Sequence, residues 1–162
     1  MAKATKSAAR ISEAIEVDVP RSTAYEQWSR FEELPRFMEG LQAVRQLDEA
    51  QLLWRAELDG RAVEWQARIS EQVRDRRIAW RSGSGVSNAG VVRFDRLGAK
   101  RCRVTLDLEY ELEGGLENAG DFLGAMQGRA VGDLKRFKSF IEHRAHEPGA
   151  GRGIDSSAER TR

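Results

Sequence analysis

The chain has 162 residues, of which 40% are hydrophobic and 15 are glycine, the make-up of one soluble globular unit with a single core. Its 27 basic side chains nearly cancel 26 acidic ones, and between Ile11 and Glu142 the balance is mildly acidic at 20 basic against 23 acidic, which argues against a nucleic-acid binder. Cys102 is the only cysteine, so an intramolecular disulfide and a multi-thiolate zinc site are excluded, a reducing cytoplasmic compartment is expected, and neither a signal h-region nor an apolar run of spanning length is present.

Residues 1–9 are small and basic and are expected to be disordered, as is the Gly/Ser/Arg tail over residues 147–162, which leaves residues 10–146 as the working domain. Ile15, Val17 and Val19 alternate with Glu16 and Asp18, predicting a half-buried strand over Ile11–Val19 that Pro20 stops. Two short helical pieces follow, Thr23–Ser29, capped by Ser22 or Thr23, and Phe31–Phe37, because Pro35 and Gly40 stand too close together for one long helix.

From Leu41 the hydrophobic period becomes two. Leu52, Trp54, Ala56 and Leu58 alternate with Leu53, Arg55 and Glu57 up to Asp59-Gly60, a turn pair, and Val63, Trp65, Ala67 and Ile69 make the returning strand. Ile78 and Trp80, then Val92 and Phe94, then Val104, Leu106, Leu108, Tyr110 and Leu112 continue the pattern, each run with charged residues on its other face. Neighbouring opposite charges on that outer face account for the high charged fraction without a partner.

Leu116, Ala119, Phe122, Leu123, Met126, Ala130, Leu134, Phe137 and Ile141 recur at three- and four-residue spacing, predicting an amphipathic helix from about Glu117 to His143. One strand, two short helices, about six antiparallel strands and a long helix make an α+β layout in which a curved sheet wraps the terminal helix.

The segments Phe31–Leu47 (FEELPRFMEGLQAVRQL), Val63–Ser82, Asn88–Phe94 (NAGVVRF) and Asp133–Glu142 (DLKRFKSFIE) occur in an order and spacing that resemble the polyketide cyclase/dehydrase and lipid-transport superfamily, the START-like or helix-grip proteins. The resemblance covers nearly all of Ile11–His143. It implies a sheet of about seven antiparallel strands gripping the C-terminal helix, with an apolar cavity between them for a lipid, an isoprenoid quinone or a polyketide. The superfamily spans ring-closing enzymes, carriers and sensors, so the fold is implied more narrowly than the activity.

Trp54, Trp65, Trp80, Phe94 and Tyr110 all fall on the apolar phase of their strands and would line such a cavity, or else fill an ordinary core. Phe37 and Met38, between Pro35 and Gly40, would stand at its mouth, and Phe122 and Met126 would face it from the helix. Ser82 and Tyr110 are the interior polar groups available to a ligand carbonyl or hydroxyl. Arg129 and Asp133, four apart on the edge of the helical stripe, are expected to pair with each other. Gly120, Gly124, Gly128 and Gly132 form a ridge along the same helix, read either as a bendable lid or as close backbone approach or tolerance at an exposed site.

No catalytic constellation is legible. His143 and His146 lack carboxylate or thiol company and are expected at the solvent, so no metal site is expected. Residues 85–89 (GVSNA) lack the second glycine and the histidine of a nucleophile elbow, and Gly83 and Gly85 open a hairpin turn rather than a phosphate loop, so no cofactor is implied. The interior phase offers almost no carboxylate. The expected function is non-enzymatic binding of a small hydrophobic ligand without membrane insertion. A polyketide aromatase/cyclase is the alternative, and an interaction module using Lys3, Lys6, Arg10, Arg152, Arg160 and Arg162 is the third reading.

Overall fold

The computed structural model describes residues 6–58, 60–82, 88–113 and 119–145. Asp59 of the first turn pair, Gly83, Gly85 and Ser87, the start of the terminal helix before Ala119, His146 and the 147–162 tail lie outside them. Seven strands, β1 (Lys6–Val17), β2 (Leu41–Gln46), β3 (Gln51–Leu58), β4 (Arg61–Val73), β5 (Arg77–Ser82), β6 (Asn88–Gly98) and β7 (Arg101–Glu113), form one antiparallel sheet. Helix α1 (Arg21–Trp28) and a 3-10 helix (Phe31–Arg36) separate β1 from β2, and the long helix α2 (Ala119–Ala145) closes the chain.

The strand order β1-β7-β6-β5-β4-β3-β2 joins neighbours by hairpins except at β1, which leaves across α1 and pairs with β7 from Lys6↔Glu113 to Val17↔Cys102. That pairing is why β1 begins at Lys6, ahead of the domain boundary expected at residue 10: β7 offers a full-length partner, and Ala9 is buried against it. Helix α1 starts two residues earlier than expected, with Pro20 at the N-cap and its carbonyl accepting from Ala24 N–H at 3.1 Å. Neither Ser22 nor Thr23 caps it.

Directly opposed residues point to the same face, so the register sorts the side chains. Ile69, Trp80, Gly90, Leu108 and Ile11 form one row across the concave face, and Ile78, Val92 and Leu106 form the next. The convex face carries a ladder of ion pairs, Arg10–Glu109 at 3.5 Å and Arg103–Glu16 at 3.3 Å directly opposed and Arg93–Asp107 at 2.9 Å on the diagonal. A bulge between Ile69 and Glu71 shifts the phase of β4, turning Gln72 inward, where its amide donates to Tyr25 Oη at 3.0 Å.

The C-terminal half of α2 is tied down by polar contacts at both flanks of its apolar stripe. Lys138 Nζ donates to the Glu16 carbonyl at 3.1 Å, and Asp18 N–H donates to the Glu142 carboxylate at 2.7 Å. On the other flank Arg136 Nε donates to the Phe37 carbonyl at 3.0 Å, and Asp133 accepts from Glu39 N–H at 3.2 Å. These bonds hold β1 and the turn after the 3-10 helix against the same helix.

Candidate functional site

The concave face is closed at one end and half-open at the other. At the closed end Trp28, Phe37, Phe94 and Phe137 are each at most 2% exposed and interlock edge-on or tilted, with Trp28 and Phe137 5.0 Å and Phe37 and Phe137 4.9 Å apart. Leu34, Leu134, Ile78, Val92 and Val104 complete that plug. At the other end Trp54, Trp65, Trp80, Leu108, Tyr110, Leu41, Met38 and Met126 are only half-buried although they lie on the same apolar face.

The residues expected to line a cavity therefore divide. Trp54, Trp65, Trp80, Ser82, Tyr110, Met38 and Met126 stand half-buried, Ser82 opposite Ala67 at the end of β5. Phe37 and Phe94 belong to the closed plug, Phe37 because the Arg136 bond to its carbonyl draws its backbone onto α2, and Phe94 because Tyr25 and Trp28 of α1 cover it. Phe122 is in α2, but its side chain is outside the described residues. Trp28, the hub of the plug, was not among the expected site residues, although Ala24 and Tyr25, four and three residues before it and buried with it, mark the inner face of α1.

The indole rings of Trp54 and Trp65 face one another across the β3–β4 pair, 6.1 Å apart and within 12° of parallel. Trp80 lies flat over Gly90: a Cβ there would stand 2.4 Å from Trp80 Cζ2 and 3.0 Å from Leu108 Cδ2. Glycine is thus required in the NAGVVRF segment for space. These rings make a flat apolar wall that suits a planar or extended hydrophobic molecule.

The polar groups at this end come from α2, the turn before β2, and β7. Asp133, which is buried, pairs with Arg136 at 2.5 Å rather than with Arg129, because Arg136, one turn on, and Glu39 N–H both reach its Oδ1. Burial pushes its carboxyl above the ordinary range, with Arg136, the Glu39 N–H and Arg129 opposing. Arg129 instead seats its guanidinium against Gly40, with Nη1 2.7 Å from where a Cβ would stand. Burial raises the Tyr110 phenol, and the nearby Arg129 charge partly offsets this, so Tyr110 is a proton-bearing group at neutral pH.

One interior-phase carboxylate escaped the sequence pattern: Glu13 stands opposite Leu106 and accepts from Gln127 Nε2 of α2 at 2.6 Å. Cys102 is buried and its thiol is pushed up to about 11 by desolvation, which leaves it no nucleophilic character at neutral pH. His143 is on the exposed side of α2. Of the basic residues considered as a surface arm, Lys6 and Arg10 lie in β1, and Arg10 faces Glu109. Among the described residues, no helix is long and apolar enough to cross a membrane.

Residues 17–138 match the family model described as polyketide cyclase / dehydrase and lipid transport. The chain is 40% identical over 145 residues to the uncharacterized 17.2 kDa protein in the melC2-rnhH intergenic region of Streptomyces lincolnensis, covering 89% of this chain and 97% of that one. Among solved structures, the Zhui aromatase/cyclase of Streptomyces sp. R1128 superposes with a TM-score of 0.75 at 17% identity, over 86% of this chain and 97% of its own. A START superfamily protein from Mycobacterium smegmatis gives 0.70 at 18% identity, over 83% and 97%. At such identities the likeness is one of fold, and it is the helix-grip fold that the family resemblance implied.

Proposed function

This chain belongs to the polyketide cyclase/dehydrase and lipid-transport family, and from that premise we propose that it binds a small hydrophobic molecule in the half-open end of its concave face. The observation that carries this reading is the contrast in burial between the two ends of one apolar surface. A core needing only to be filled would close around its tryptophans as it closes around Trp28, whereas Trp54, Trp65 and Trp80 are only half-buried. Covering that area with a ligand is favourable by roughly 25 cal/mol per Å² of apolar surface removed from water.

A second reading, aromatase/cyclase activity, is favoured by the aromatase/cyclase among the fold neighbours and by the proton-bearing Tyr110 beside Arg129. In that case the wall folds the substrate, and Tyr110 donates to a carbonyl oxygen as the ring closes. Nucleic-acid binding has no support in the near-neutral charge balance.

Native mass spectrometry of the purified full chain, followed by organic extraction, tests both. A bound apolar molecule recovered unchanged is the expected result, and Trp65→Ala and Trp80→Ala should each weaken its binding by roughly tenfold as the wall loses an aromatic contact. Recovery of a cyclised or dehydrated product from an added polyketide-like substrate would move the assignment to the second reading. A clean apo mass, unchanged by added quinones and fatty acids, would sink the first.

A further inference from the structure

The half-open end holds two hydrogen-bond donors that packing does not account for. Arg129 is half-buried, and among the described residues it makes no hydrogen bond and no ion pair. Asp133, one turn along the helix, is engaged through Oδ1 by Arg136 and by Glu39 N–H and acts on Arg129 only through space. Its position is nonetheless built. Gly40 has φ +87°, a backbone that favours glycine, and the guanidinium lies in the space a side chain there would take.

The second donor is Trp54 Nε1, which is buried and has no acceptor among the described residues. The Gly40 carbonyl accepts from Glu57 N–H, so the backbone beside the Arg129 guanidinium lies three residues of β3, roughly 10 Å along the strand, from Trp54. Between them the surface is aromatic and aliphatic, with Trp65 stacked on Trp54 and Leu41 opposite Ala56. A buried N–H without a partner costs free energy, and a molecule bringing acceptor oxygens to it and to the guanidinium recovers that cost.

We propose that the ligand of this site is an apolar molecule carrying an anionic oxygen, a carboxylate or phenolate, which binds to Arg129 while its apolar body covers the tryptophan wall and a further oxygen accepts from Trp54 Nε1. This rests on the reading of the half-open end as a ligand site. A cationic amphiphile is disfavoured by the same guanidinium. A neutral hydrocarbon leaves both donors unmet. Charge-assisted bonds of the guanidinium–carboxylate kind are about twice as strong as neutral ones, so the acidic group should dominate selectivity.

Matched probes separate the two layers of this inference. Equilibrium dialysis of the full chain at pH 7.5 against dodecanoate and dodecanol, and against 2-naphthoate and 2-naphthalenemethanol, should show the acid of at least one pair held about tenfold more tightly than its alcohol. Arg129→Gln should abolish that preference, Arg129→Lys should retain part of it, and Trp54→Phe, which keeps a ring and removes the indole N–H, should weaken acid binding about threefold. Equal binding of acid and alcohol in both pairs, or an acid preference that survives Arg129→Gln, would overturn the proposal and leave the apolar site standing. Failure of all four probes to bind would overturn both. The wild-type comparison decides the matter even where a variant does not fold.

Discussion

At the scale of single residues, the site depends on positions where a side chain is missing as much as on those that carry one. Gly90 lets Trp80 lie against the sheet, so Gly90→Ala must drive the indole toward α2 or bend β6, because 2.4 Å is far inside contact distance. The expected cost is about 1–3 kcal/mol, as for other overpacked interiors, read from urea unfolding together with a changed tryptophan emission maximum. Gly40 plays the same part for Arg129. Neither role was legible in the sequence, because hydrophobic periodicity reports which residues are apolar and not which one lies over which. The three wall tryptophans were legible from their phase alone. Phe37 and Phe94 share the apolar character of the wall residues, yet α1 and Arg136 draw them into the plug, and only tertiary contacts distinguish the two sets.

At the scale of elements, α2 is two unlike halves. Residues 133–142 carry four tethers to β1 and to the turn after the 3-10 helix, whereas Gly124 and Gly128 face open space, with nothing within 4 Å of where their Cβ atoms would be. Close backbone approach therefore does not explain the glycines there. Gly124→Ala and Gly128→Ala should each stabilise the protein by about 0.5–1 kcal/mol, measured by chemical unfolding, since each fills no occupied space and restrains the unfolded chain. Gly132 differs, because Arg136 covers it at 3.2 Å. The strands were legible by alternation, and the hairpin order followed from it. The bulge at Ile69/Glu71 was not: one inserted residue reverses the phase of β4 without any apolar signature and sets Gln72 opposite Ile78. The Asp133 partner was misjudged for a related reason, since helical spacing allows both three- and four-residue pairs and the Glu39 N–H fixed the choice.

At the scale of the whole molecule, Asp133 links the stability of the fold to pH. Its carboxyl is raised by burial above its ordinary value, so the folded chain holds the proton more tightly than the unfolded chain does. The resulting contribution favours folding below the carboxyl's unfolded-state pKa and is lost as pH rises through the folded one. Asp133→Asn, which cannot titrate, should therefore be more stable relative to the wild type at pH 7 than at pH 4, as followed by thermal unfolding across that interval. The same residue bridges α2 to the turn that carries Gly40, so the linkage acts where the helix meets the rim of the half-open end.

The pairing of the first strand with the last has a further consequence, for the order in which the protein is made. Val17 leaves the ribosome 85 residues before its partner Cys102, which at about 5–20 residues per second leaves β1 waiting for roughly 4–17 seconds without the strand it pairs with. During that interval the hairpins from β2 through β6 can form from neighbouring segments alone, while Ile11, Ile15 and Val17 have no β7 to lie beside. The sheet is thus completed from its far edge inward, and the ribosome-bound chain passes through a stage in which its oldest strand is its least protected.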